Sequence, residues 1–153
     1  MISHKKNYLL ILPCSKQKRQ LANVAAINLY DGPFFRIVRK YCPKNVHILI
    51  ISAKYGLIES NELISYYDEK MTVERAGKLS KEILLKLKKL LDNYNYKEIF
   101  INLGKIYTLA LDDSRSMLKE KNACWSSGKI GERNRQLKYW LLSMQVYKSF
   151  QDL

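Results

Sequence analysis

Three short, uninterrupted apolar runs constrain this chain most. They are Tyr8-Leu-Leu-Ile-Leu12, closed by Pro13, then Val46-His-Ile-Leu-Ile-Ile51, and Glu98-Ile-Phe-Ile-Asn102. A run of this length without polar alternation suits a strand covered on both faces, and helices must do the covering. The intervening sequence supplies them. Asp31-Gly-Pro-Phe-Phe starts a helix near 33–42, with the acid as expected cap and Pro43 as its stop. Thr72 is the expected cap of a long helix from Val73 to about Asp92, with Leu79, Ile83, Leu87 and Leu90 on one side and lysines opposite. A last helix is expected from about Glu132 to Phe150, with Leu137, Trp140, Leu141, Met144 and Tyr147 as its apolar stripe.

This alternation predicts one α/β domain over residues 1–153, three-layered, with a mainly parallel sheet flanked by helices. The 153 residues match one domain, and no repeat or linker argues for a second. No stretch of 18 apolar residues exists to span a membrane, and Tyr8–Pro13 is too short for a signal-peptide core. A cytoplasmic location and no membrane partner are therefore expected. The cysteines, Cys14, Cys42 and Cys124, form no CxxC pair, and only His4 and His47 could join them. Zinc is not expected, nor is a disulfide framework.

Charge narrows the partner. The net charge is +13, and residues 1–50 hold nine basic side chains against a single acid, Asp31. Such a surplus favours phosphate-bearing partners, whether nucleic acid, nucleotide or nucleoside phosphate. A uniformly solvated lysine coat is the plainer explanation.

In open α/β sheets ligands bind beyond the carboxyl ends of the strands, and these strand ends are distinctive. The first delivers Pro13-Cys14-Ser15-Lys16-Gln17-Lys18-Arg19, where backbone amides, a hydroxyl and cations can hold a phosphate. It lacks the glycines and the GK[ST] ending of a P-loop, so ATP chemistry and its cofactors are not expected. Cys14 has no nearby histidine and is read as a binding residue, not a nucleophile. The second strand ends in Ser52-Ala53-Lys54-Tyr55-Gly56, which presents a cation and a flat ring, with Gly56 free to take positive φ. The third ends in Asn102-Leu103-Gly104-Lys105. Tyr66-Tyr67-Asp68-Glu69 then places carboxylates between aromatics and the long helix. Asp68 can serve as a general base or stabilise an oxocarbenium-like sugar; it can equally complement the helix dipole. Gly128-x-x-Gly131 with Arg133 and Arg135 is either a phosphate grip or a flexible basic helix start.

In this order, Pro-Cys-Ser-Lys-x-Lys, Leu29-Tyr30-Asp31-Gly-Pro-Phe, Ser-Ala-Lys-Tyr-Gly-Leu and Tyr67-Asp68 resemble a widespread family of small bacterial and phage domains of unassigned function. More distantly, Pro13-Cys14-Ser15-x-x-Lys18 is similar to the start of the lysine-transfer motif of archaeosine synthase, a relative of tRNA-guanine transglycosylases. That motif continues Pro-Tyr and later uses a Ser and a His, whereas Arg19 and Gln20 follow here. The transfer activity is not carried over. The resemblance implies a setting of modified bases and nucleosides, and an α/β fold similar to uracil-DNA glycosylases.

The expected function is an enzyme acting on a nucleobase, nucleoside or nucleic acid, cleaving or exchanging an N-glycosidic bond. Asp68, Lys54 and Ser15 are the expected catalytic residues. Tyr30 and Tyr55 would stack on the base, Ser15 and Asn102 would bond its edge, and Cys14, Lys16, Lys18, Gly104 and Arg133 would complete the binding set. The alternative is a non-catalytic basic nucleic-acid-binding module of a stress or phage-defence system.

Overall fold

A computed structural model describes residues 5–151, with side chains described through Met144. The elements run β1 (Tyr8–Pro13), β2 (Val24–Ala25), α1 (Ala26–Leu29), α2 (Pro33–Tyr41), β3 (Val46–Ser52), β4 (Gly56–Glu59), β5 (Leu63–Ile64) and α3 (Val73–Asn93). They continue with β6 (Glu98–Ile101), α4 (Lys105–Thr108), a 3₁₀ helix (Leu109–Ser114), α5 (Arg115–Glu120), β7 (Cys124–Trp125) and α6 (Ile130–Gln151).

The three apolar runs are adjacent strands of one sheet, ordered β4-β3-β1-β6-β7. β1 lies at its centre and pairs in parallel with β3 on one side and β6 on the other. Every β1 side chain is buried, which explains its unbroken apolar run. β6 pairs in parallel with β7, and β4 folds back antiparallel on β3. The expected α/β sheet is thus present, with its two outer strands added. β2 and β5 form a separate two-stranded ladder.

Helices cover both faces. On one, the Trp140 ring of α6 stacks on Phe100 at 5.1 Å and meets the edge of Tyr8, while α2 packs beside α6. Strand alternation turns Leu49 and Leu57 to the other face, beneath α3, where Lys86 Nζ donates to the Leu57 carbonyl at 3.2 Å. The α3 stripe is Ala76, Leu79, Ile83, Leu87 and Leu91, with Leu90 half-buried at its margin. Thr72 caps the helix as expected, its Oγ1 accepting from the Arg75 amide. Leu137, Leu141 and Met144 are buried on α6, and Tyr147 lies outside the described side chains. No helix of the described residues is long and apolar enough to cross a membrane.

Two local expectations are revised. Asp31 does not cap α2, whose first turn receives no side-chain hydrogen bond. Its carboxylate is drawn instead into Arg39 at 2.7 Å, Arg36 at 3.5 Å and Arg19 at 3.7 Å. Those contacts, with Arg39 Nη1 donating to the carbonyls of Ile27 and Tyr30, tie α2 to α1 and, through Arg19, to the loop after β1. The last helix starts two residues before Glu132, at Ile130.

The hairpin between β3 and β4 closes at Gly56, with φ +76° and its α-hydrogen face toward Leu79. Arg75 fixes this turn by donating to the carbonyls of Ala53 and Lys54 at 2.8 and 2.9 Å. Gly56→Ala is expected to destabilise the protein by about 1–2 kcal/mol, the cost of left-handed backbone for a residue with Cβ. Urea unfolding should show a lower midpoint at unchanged slope.

Candidate active site at the strand ends

The carboxyl ends of β1, β3 and β6 reach one rim because the central ladders continue past the strands. The Cys14 amide donates to the Ile51 carbonyl and the Asn102 amide to that of Ile11, both at 2.9 Å. Beyond this rim the loop Cys14–Lys18 is held rigidly. Ser15 Oγ donates to the Gln17 carbonyl, and that same carbonyl accepts from the Asp31 amide. Gly32 makes the approach possible, since a Cβ there would stand 2.8 Å from Ser15 Cβ.

The loop forms a ridge between two hollows. The first, of about 450 Å³, has largely apolar walls from Pro13, Pro33, Phe34, Phe35 and Ile130, with Arg133 and Gly104 at its side. Arg133 lies over the Phe34 ring, 5.6 Å from its centre. The second, of about 380 Å³, is lined by Lys16, Lys18, Asp68, Glu69, Lys70, Met71 and Ile106. Cys14, Ser15, Lys16 and Tyr107 line both.

Behind the ridge lies a chain of phenols. Cys14 Sγ and Tyr107 Oη are 3.0 Å apart. Tyr67 Oη meets Tyr30 Oη at 2.7 Å and Ser52 Oγ at 2.9 Å, and Ser52 Oγ accepts the Tyr55 amide at 3.0 Å. Lys18 Nζ caps the Tyr67 ring at 4.5 Å. Burial first, and then the Cys14 sulfur, push the Tyr67 and Tyr107 phenols far above their ordinary value; burial does the same to Tyr30. All three keep their protons at neutral pH and can donate.

The predicted residues divide into three groups. Cys14, Ser15, Lys16, Gly104 and Arg133 line the apolar cavity, and Lys18 and Asp68 join the first three around the basic hollow. Lys54 is exposed and lines neither hollow; its Nζ lies 5.2 Å from the centre of the Tyr55 ring. Tyr55 also lines neither, being half-buried with its ring edge on Tyr67. Two expected contacts are corrected outright. Tyr30 is fully buried between Phe35 and Tyr67, so no ring face is left for a base. Asn102 is also fully buried; its Oδ1 accepts from Ser126 Oγ at 2.7 Å and its Nδ2 meets no acceptor among the described residues.

Among the lining or supporting residues that the sequence reading did not assign to the site are Phe34, Tyr67 and Tyr107. Tyr107 lies one turn into the segment after the third strand, where the strand-end rule would have found it. Tyr67 neighbours Asp68 in the Tyr-Asp pair. Phe34 follows the proline that opens α2.

Comparison with known proteins agrees with this architecture. Residues 9–139 match the family described as a family of unknown function (DUF6884). The chain belongs to that family. A crystal structure of AF0587, a protein of unknown function, is similar at a TM-score of 0.55 and 15% identity, over 89% of this chain. That likeness is one of fold, and this chain spans 44% of the AF0587 chain. No curated protein matches the sequence.

The phenol network predicts an alkaline transition. Of the 11 tyrosines, Tyr30, Tyr67 and Tyr107 of this network, and the half-buried Tyr96 beside His47 and Tyr94, hold their protons above the pH at which an unfolded chain releases them. Their contribution to stability is complete below about pH 10 and is lost as pH rises further. In a near-ultraviolet titration these four should stay silent until unfolding, which circular dichroism would register at the same pH.

Proposed function

We propose that this chain is an enzyme that cleaves or exchanges an N-glycosidic bond of a nucleobase-containing substrate. The observation that carries the reading is the ridge itself. An apolar cavity fit for a planar base and a basic hollow holding a carboxylate share Cys14, Ser15, Lys16 and Tyr107. A nucleoside laid across the ridge has its base among Pro13, Pro33 and Phe34. Its sugar and phosphate then lie with Asp68, Lys16, Lys18 and Lys70.

The chemistry follows from this placement. As the bond between C1′ and the base nitrogen breaks, its electron pair leaves with the base and positive charge grows on the sugar. The Asp68 carboxylate faces that charge and can take the proton of the water that adds to C1′. Tyr107 keeps its proton and can hydrogen-bond the departing base, which leaves with the electron pair as its anion and takes its proton from water. Lys16 and Lys18 neutralise phosphate, and Arg133 borders the base cavity. Ser15, whose hydroxyl is committed to the loop, shapes the ridge and is not the nucleophile. Lys54 and Tyr55 belong to the supporting hairpin.

Asp68 is exposed, so Asp68→Asn should leave the fold intact. It should lower kcat for base release by about 100-fold or more. Lys16→Ala should instead raise KM. Chromatography of bases released from a panel of modified nucleosides, nucleotides and DNA provides the assay. Unchanged release by the Asp68→Asn protein would remove Asp68 from the chemistry. Silence of the wild-type protein across the panel would favour the non-catalytic binding module.

A further inference from the structure

The two helices that open on the apolar cavity continue away from it as a pair. Phe34, in the first turn of α2, is met by Arg133 of α6, and Tyr41, the last residue of α2, is met by Lys138 of α6. The contacts run in the same order along both helices, so α2 and α6 are parallel neighbours whose seam starts at the cavity. At the far end Lys138 Nζ lies 5.0 Å from the centre of the Tyr41 ring and Lys40 Nζ 5.3 Å. Two ammonium groups are thus gathered on one phenol, and neither has a carboxylate partner among the described residues. They also pull the Tyr41 phenol below its ordinary value, Lys138 first and then Lys40. Two cations that share one phenol, with no carboxylate partner among the described residues, favour an anion there, which a phosphate supplies.

The spacing selects among phosphate carriers. Phe34 and Tyr41 are seven residues apart on one helix, about 10 Å at 1.5 Å per residue. A nucleic-acid strand rising about 3.4 Å per stacked nucleotide covers that distance in about three nucleotides. Arg133 over Phe34 at the cavity and the lysine pair over Tyr41 beyond it therefore form two cation–aromatic posts along one track. A free nucleoside phosphate filling the cavity would not reach the second post.

We infer that the substrate is a single-stranded polynucleotide, held along the α2–α6 seam with a backbone phosphate on Lys40 and Lys138 while one of its bases enters the cavity. This deepens the proposed function by naming its substrate class and rests on that reading for the base in the cavity. The seam contacts themselves do not involve Asp68. Cations set along a helix seam bind such strands through their phosphates without reading their sequence, and the affinity depends on salt.

The test is fluorescence anisotropy with a labelled single strand of about a dozen nucleotides, as DNA and as RNA, between about 50 and 200 mM salt. The Lys40→Ala, Lys138→Ala double variant should lose roughly tenfold in affinity at the lower salt. Its plot of log affinity against log salt should be shallower by about 0.7, the share of the one phosphate contact that is lost. The control is Lys81→Ala with Lys88→Ala, which removes the same charge from exposed positions on α3 and should bind as wild type does. Equal losses in the seam and control variants would overturn the inference in favour of diffuse charge, and so would no binding at the lower salt. Seam-dependent capture by phosphatidylserine vesicles, with strand binding indifferent to the seam, would reassign the face to a membrane and overturn it too. Seam-dependent strand binding without base release from any substrate would sink the catalytic reading alone. Base release from free nucleotides without seam-dependent strand binding would sink this inference alone.

Discussion

The burial of β1 governs the rest of the molecule. Its side chains have no solvent-facing side, and both of its backbone edges are paired, with β3 and with β6. Both partners run parallel to it, so three chain segments leave the sheet at the same rim. An antiparallel partner on either side would have sent one of those loops to the far end. The ridge, its two hollows and the convergence of α2 and α6 all inherit their position from that pairing.

Behind the rim, polar groups occupy ground that an apolar core could have filled. Ser52, Tyr30 and Tyr67 are buried yet satisfied, each hydroxyl meeting another. A buried polar network of this kind fixes one arrangement, because any slip leaves a donor or acceptor unpaired at a cost of about 1–3 kcal/mol. Here it fixes the backbone just before Asp68, and through the Tyr67 ring it sets the resting place of Lys18. The hairpin turn at Lys54 and Tyr55 serves the same scaffold: the Tyr55 amide and the Tyr67 phenol share the Ser52 hydroxyl. Residues that look like ligand contacts in the sequence thus stand one layer back.

What was legible in the sequence depended on how local its cause is. The three strands, the Thr72 cap and the positive φ of Gly56 follow from short-range pattern and appear where expected. β2, β5 and β7 are two residues each and exist only because a distant partner supplies their ladder, so no window of sequence could announce them. Asp31 has the local look of a cap, but Arg36 and Arg39 of α2 itself, with Arg19 from the loop after β1, draw its carboxylate away from the helix amides. Tyrosine is the hardest case. Its ring suits a core and its hydroxyl suits a rim, so pattern alone could not separate buried Tyr30 from Tyr107 on the ridge. The strand-end rule, which depends on topology and not on residue type, anticipates which loops share the rim, as no single motif does.

The brevity of β7 has a further consequence. Its ladder to β6 holds only Cys124 and Trp125, and the preceding Asn122, at φ +56°, turns the chain away from an extended course. A long flat margin would offer unpaired backbone groups to any passing strand. This one presents almost no template, so on the β7 side another chain can scarcely lengthen the sheet.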